Sequence, residues 1–406
     1  MSSYLRVALL SFHSSPIAIL GSGNAGGMNV YVNNLSQALG GMGVFVDIFT
    51  RCSDINLAGA IFLFPNVRLV NLYDPNIDKE KFHIEKGLLT FKDEIQKFVL
   101  AESIEYDIVH SHYWLSALVA QELSDQWNIA HVTTFHTIAD IKNICLMRQI
   151  ENSRRIFAER EIAIKADVVL AADTHEIEFL SRAYRIPNHK FKLTSGGVDP
   201  LKFYPIDKLL ARKKLNIGDE KILLFVGRLD PIKGLNLLLE AAYLVKEFYS
   251  VKIIVIGGDS GENSEIQKLD KLAQDLGITE KVIFINAVDQ NTLSYFYSAA
   301  DILTIPSYYE SFGLVALEAM SCGLPVIAMS TGGLTNLIVH GETGLLVGKR
   351  SPQIFASAIL SLLNNESMRI NMGKNGIRRA SSFSWSRVAE SVIETYEKLT
   401  TSYLSA

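Results

Sequence analysis

Short β-rich runs that end in polar residues or glycine and lead into helical stretches recur along this chain. That alternation restricts its possible folds more than any other feature. RVALLSFHS (6–14) reads as a buried strand, with a helix from about Met28 to Gly41 behind a pair of glycines. VFVDIFTR (44–51), IVHSH (108–112), HVTTFH (131–136) and ADVVLAAD (166–173) continue the series. A turn-rich stretch, TSGGVDPLKFYP (194–205), interrupts it. ILLFVGRL (222–229), VKIIVIGG (251–258), VIFINAV (282–288), DILTIPS (301–307) and PVIAMS (325–330) then resume it. Strands alternating with helices make βα units around parallel sheets, not a sandwich or a helical bundle.

At 406 residues the chain exceeds the size at which a single core keeps growing. The expectation is therefore two α/β domains, 1–196 and 197–383, followed by a helical segment, 384–406. Val388, Val392, Ile393, Tyr396 and Leu399 form one apolar stripe on that last helix, which is expected to pack back on the first domain. The 48% apolar and 20% charged residues are those of an ordinary globular protein. A formal charge of −4 argues against a broad nucleic-acid surface. Cys52, Cys145 and Cys322 fit neither a zinc pattern nor a disulfide framework. No basic flank leads into a secretory segment, and no run nears the roughly 18 apolar residues of a membrane span. A cytoplasmic location without an integral membrane segment is expected, with peripheral membrane contact left open.

Gly26 and Gly27 precede the first long helix. Two bare residues there permit either a tight turn or close approach of an oxyanion to backbone N–H groups. The stretch has neither a Walker A ending nor a full GxGxxG pattern, so a P-loop or dinucleotide site is a poor match. His110 and His112 resemble the start of a metal set but have no third ligand at an identifiable spacing, so no metal is expected. His136 ends HVTTFH, at a position that borders the ligand crevice in a parallel sheet. Lys79, Tyr113, Thr137 and the Arg154–Arg155 pair can be solvent-facing or can surround a phosphate.

VGRLDPIKG (226–234) puts Arg228 and Lys233 just after a strand, where two cations can neutralise a diphosphate. SYYESFGLVALEAMSCGLPVIA (307–328) places Glu310 at a helix entrance and Glu318 within the helix. The amides around Ser311, Phe312 and Gly313 stand at that helix start. As surface acids, either glutamate alone needs no explanation; both flanking SFG behind a basic loop do. GGL (332–334) and GETGLLV (341–347) supply two further close-approach turns.

On GGMNVYV, DIVHSHYWLSA, TTFHTIADIKN, VGRLDPIKG, ESFGLVALEA and GETGLLV, the chain resembles the retaining glycosyltransferases of family 4. The resemblance implies the GT-B fold: two Rossmann-like parallel-sheet domains facing across a cleft, the first for an acceptor and the second for a nucleotide sugar. It assigns His136, Glu310, Arg228 and Lys233 to catalysis. Gly26, Arg228, Lys233, Glu310, Ser311, Phe312, Gly313, Leu314 and Glu318 go to the donor, with Glu318 on the nucleotide ribose.

The first half resembles in particular the members that glycosylate inositol phosphate, and also the sucrose-phosphate synthases. On that likeness Asn24, Gly27, Lys79, Tyr113, Thr137 and Arg154 bind a small phosphorylated acceptor. The donor is UDP-glucose or UDP-N-acetylglucosamine, with no essential cofactor or metal; a homodimer stays possible. Two departures bear on acceptor geometry: the compact segment between KN and SRRI, and Ser195–Gly196 where the family has proline-glycine. Alternatives are a sucrose-phosphate-synthase-like enzyme, a family 4 transferase acting on a lipid or polysaccharide, and a noncatalytic nucleotide-sugar sensor.

Overall fold

Apolar side chains on both faces of nearly every strand decide the architecture. In the second half, Leu223, Phe225, Ile253, Val255 and Ile327 enter one core cluster, while Ile222, Leu224, Ile254, Ile256, Val326 and Ala328 enter another. Alternate residues of one strand thus point to opposite faces, and helices cover both. Each fully buried aliphatic side chain contributes about 1.5–3 kcal/mol relative to exposure. The computed structural model describes residues 5–18, 25–75, 77, 80–258 and 264–404.

Two units emerge. The first comprises the residues up to Ala18, Gly27–Ser195 and those from Trp385 onward; the second comprises Ile19–Gly26 and Gly196–Ser384. The strands of the first are β1 (Arg6–Leu10), β2 (Phe45–Cys52), β3 (Gly59–Phe64), β4 (Val67–Tyr73), β5 (Ile108–His112), β6 (Ala130–Thr134), β7 (Val168–Ala171) and β8 (Phe191–Leu193). They order β3-β4-β2-β1-β5-β6-β7-β8, all parallel except the β3–β4 pair. The β3–β4 hairpin departs from the βα alternation because Pro65 and Asn66 (φ 62°) turn the chain straight back.

The second unit has β9 (Lys221–Val226), β10 (Val251–Ile256), β11 (Val282–Ile285), β12 (Ile302–Ile305), β13 (Val326–Met329) and β14 (Gly344–Val347). Its order, β11-β10-β9-β12-β13-β14, is that of a doubly wound Rossmann sheet, parallel throughout. The end of GETGLLV, expected to be a turn, is β14, because Gly344–Val347 pairs in register with Val326–Met329. In such a sheet the crevice opens where strand order reverses, beyond the carboxyl ends of β9 and β12.

The helix Trp385–Leu404 belongs to the first unit and lies against the helix Gly27–Gly41. Val388, Val392 and Tyr396 of its apolar stripe are buried, and the Trp385 ring meets Tyr31 edge-on at 5.4 Å.

Candidate active site

The loop after β9 and the loop after β12 are bonded to each other. Asp230 caps a short turn, Pro231–Lys233, by accepting from the Ile232 amide at 3.0 Å. The Ile232 carbonyl accepts from the Tyr308 amide at 2.7 Å. Lys233 Nζ then reaches Glu310 Oε1 at 2.6 Å, and the Ser307 hydroxyl donates to the same oxygen at 2.9 Å. Arg228 stands on the same loop, with a guanidinium nitrogen 3.9 Å from Asp230 Oδ2.

Arg350 ties these two loops together. Its guanidinium donates to Pro306 O at 2.5 Å and to Gly234 O at 3.3 Å, and stacks 3.5 Å from the centroid of the Tyr308 ring. Gly234 (φ 65°) must be glycine for this packing: an added Cβ would lie 2.3 Å from Pro306 O and 2.2 Å from an Arg350 nitrogen. The glycines of GGL act in the same way. Gly333 N–H donates to Glu310 O at 2.9 Å, and a Cβ there would lie 2.3 Å from Ser311 O.

The helix expected behind SFG runs Leu314–Ser321 with Gly313 (φ 92°) at its N-cap and no side chain capping it. Its first-turn amides are therefore left without a capping side chain, the usual state of an anion-receiving helix start. Leu314 opens that helix, and Phe312 packs beside Gly196, where a Cβ would lie 2.7 Å from its ring. That close approach accounts for the first glycine of LTSGGVD. Glu318 is buried within the helix and accepts from the Tyr297 hydroxyl at 2.8 Å. Gly26, grouped with this unit, has Arg228 beside it; a Cβ there would meet Cδ and Nε at 3.6 Å, an ordinary contact.

In the first unit, His136 (φ 62°) follows β6, and Tyr113 (φ 75°) caps the helix Trp114–Trp127 after β5. A positive φ on residues of this size stores roughly 1–3 kcal/mol, so packing must hold both. His136 Nε2 shares a hydrogen bond with His112 Nδ1 at 2.8 Å. The His110 ring lies tilted beside that of His112, centroids 4.3 Å apart, and its two nitrogens bond Tyr396 (2.7 Å) and Thr134 (3.0 Å). Residues two apart on a strand share a face, which sets the two rings of H-x-H side by side. Both His110 nitrogens and His112 Nδ1 are hydrogen-bonded, while His112 Nε2 is buried without a partner among the described residues. Burial holds the imidazoles of His110 and His136 neutral, down to about 3.

The basic pair divides sharply. Arg155 is buried, stacks 4.8 Å over Tyr113 and donates to Thr137 O and Oγ1 at 3.0 Å each; Glu159 and Glu151 pair with it. Arg154 is exposed on the same helix. Tyr113 and Thr137 are therefore brought together through Arg155. Gly27 is the first residue of its helix. Asn24 and Lys79 lie outside the described residues. No sequence pattern marks Arg350, Tyr297 or Ser307 as partners of the site, and Tyr396 stands out only as part of the apolar stripe on the last helix.

Among the described residues no group of three or more His, Cys, Asp or Glu could hold a metal ion, and no helix is long and apolar enough to cross a membrane.

Residues 25–201 match the family model of Glycosyltransferase Family 4, and residues 207–379 that of Glycosyl transferases group 1. With two Rossmann-like sheets and a cationic loop facing an acidic one, the fold and matches define a nucleotide-sugar-dependent glycosyltransferase of the GT-B class. The chain is 37% identical to a D-inositol 3-phosphate glycosyltransferase of Corynebacterium urealyticum, over 98% of this chain and 96% of the relative. A D-inositol 3-phosphate glycosyltransferase 2 from Catenulispora acidiphila is 36% identical over 97% and 95%. Among solved structures, a sucrose-phosphate synthase from Thermosynechococcus elongatus has a TM-score of 0.88 at 32% identity, covering 98% of this chain and 100% of that one. HepE of Anabaena, in complex with UDP and glucose, shares the fold at TM-score 0.75 and 19% identity, over 98% and 100%. The chain belongs to glycosyltransferase family 4, a family of retaining enzymes, and is related to the D-inositol 3-phosphate glycosyltransferases.

Arg350 gives this site a first test. Arg350→Ala is expected to weaken donor-nucleotide binding about tenfold, the scale of one charge-assisted hydrogen bond. Arg350→Lys is expected to rescue little, since an ammonium cannot serve two carbonyls and stack on a ring at once. Calorimetric titration with UDP checks both variants; a lysine variant that binds like the parent would sink the clamp.

Proposed function

We propose that this protein transfers a glucose-like unit, glucose or N-acetylglucosamine, from a UDP-sugar to a small phosphorylated polyol or sugar such as an inositol phosphate, with retention at the anomeric carbon. The observation that carries the donor half is the pairing of Lys233 with Glu310 at the crevice of a doubly wound sheet. Full-length similarity to D-inositol 3-phosphate glycosyltransferases supports the acceptor class.

In this reading Arg228, Lys233 and the amides from Ser311 to Leu314 receive the diphosphate. The bond from the anomeric carbon to the diphosphate oxygen breaks, and its electron pair leaves with UDP. The acceptor oxygen attacks from the same face, and its proton passes to the departing phosphate. Preorganised donors aimed at that developing charge supply the rate; losing one costs about 2.7–4 kcal/mol in comparable sites. Glu310 orients the transferred sugar without acting as a nucleophile. His136, held neutral, positions a sugar hydroxyl as a hydrogen-bonding group.

A second reading, a sucrose-phosphate-synthase-like enzyme, has its own support in the 0.88 TM-score to such a protein. The two differ in the acceptor: a phosphorylated cyclic polyol against a phosphorylated hexose. Incubation with a panel of nucleotide sugars and both acceptor classes, followed by mass spectrometry, distinguishes them. A glycosylated inositol phosphate is the expected product. A disaccharide phosphate would favour the second reading, and no transfer or donor hydrolysis with any pair would leave a nucleotide-sugar sensor.

A further inference from the structure

The carboxyl of Glu318 is nearly sequestered, at 7% exposure, yet among the described residues it has a single hydrogen-bond donor. That donor is Tyr297, on the helix Gln290–Ala299, fully buried and among the largest enclosed side chains of the protein. Its hydroxyl donates to Oε2 at 2.8 Å; among the described residues nothing donates to Oε1. A carboxylate has about four acceptor sites, and burying one with three unused is costly unless something else fills them. As a tie between two helices, an apolar pair of similar volume would serve as well or better. The half-used carboxylate instead fits a polar ligand.

We propose that Tyr297 is a positioning residue for the donor: it pins Oε2 of Glu318 and so directs Oε1 at the vicinal hydroxyls of the nucleotide ribose. The inference rests on the donor-binding reading given above and adds to it the group that sets the glutamate's orientation. Pinning one oxygen fixes the rotation of the carboxyl plane before the ligand arrives, so that less ordering remains at binding.

The surroundings set the sign of its pH dependence. Burial raises the Glu318 carboxyl to about 7, while the Tyr297 hydrogen bond and the Lys202 ammonium both pull it down. Lys202 lies in the chain before the helix Lys208–Leu215, 3.7 Å from Asp199. Cys322, one turn on, has its thiol raised by burial and by Glu318, so it stays neutral. Ionised Glu318 is the form that accepts from two hydroxyls, so donor affinity falls as pH drops through its titration. Removing the tyrosine hydroxyl lifts that titration to higher pH.

Tyr297→Phe keeps the ring and its packing and removes only the oxygen. With UDP as probe, the Kd at pH 7 is expected to rise about tenfold, as for one hydrogen bond to a charged group. The donor KM rises with it and kcat stays near the parent's, the pattern of lost uniform binding. The pH below which affinity falls moves up by on the order of one unit. With 2′-deoxy-UDP the difference between parent and Tyr297→Phe shrinks, which a purely structural role would not produce. Glu318→Gln is the parallel variant and separates the failures. Equal loss of UDP and 2′-deoxy-UDP binding in Glu318→Gln, or no loss of either, overturns the ribose reading itself. Discrimination in Glu318→Gln with none in Tyr297→Phe, or an unshifted pH profile in the latter, overturns the role of Tyr297 alone.

Discussion

Lys233→Ala is expected to lower kcat/KM by about a hundred- to a thousandfold, the scale for removing one donor aimed at a developing oxyanion. Two losses add up. The crevice gives up a cation that sits beside the leaving diphosphate in the proposed reaction. Glu310, partly buried and paired to Lys233 at 2.6 Å, loses its counter-charge and among the described residues keeps only the Ser307 hydroxyl as a donor to that oxygen. Arginine at this position restores little, because a planar fork cannot occupy the point-charge geometry of an ammonium. Steady-state kinetics with the donor varied should show kcat falling and donor KM rising together. Activity within a factor of a few of the parent would remove Lys233 from the machinery.

The second large effect comes from a residue without a side chain. At Gly332 the backbone is left-handed (φ 49°), and an added Cβ would stand 2.1 Å from the carbonyl oxygen of Glu310 and 2.9 Å from the Tyr309 ring. The nearest obstacle is backbone, so the strain is relieved only by moving the 309–311 segment that carries Glu310. Gly332→Ala is expected to cost about 1–3 kcal/mol in stability, from overpacking and the left-handed conformation. The misplaced glutamate should lower kcat about a hundredfold. Gly41→Ala is the control, since nothing lies within 4 Å of a Cβ at the end of that helix. Thermal melts and turnover read both variants side by side. If Gly332→Ala turns over normally, the close approach of the two loops is dispensable.

Much of this was legible in the linear order of residues. Runs such as KILLFV and VKIIVI are apolar at consecutive positions because helices cover both faces of their sheet, and that pattern marks parallel strands without help from coordinates. The glycines of GGL signalled close approach, and the structure shows which atoms approach; Gly234 of VGRLDPIKG, read only for its two cations, proves to need the same closeness. Less legible was the choice between Arg154 and Arg155. Adjacent residues on a helix differ by about 100° in direction, and only the packing of the helix Ser153–Lys165 against Thr137 and Tyr113 makes Arg155 the inward one. The β3–β4 hairpin is another case: its Pro-Asn turn is visible, but its antiparallel pairing at the sheet edge depends on where β2 leaves room.

By itself, then, the sequence determined the βα alternation, the family and the residue types of the crevice, because periodicity, turn chemistry and motif spacing are local properties. Which of those residues meet was decided by strand order. Setting β12 beside β9 brings Lys233 to Glu310 across 77 positions, and folding the last helix onto the first unit brings Tyr396 to His110 across 286. Burial then fixed their states, since a neutral imidazole or a half-used carboxylate depends on what surrounds it in space and not on its neighbours along the chain.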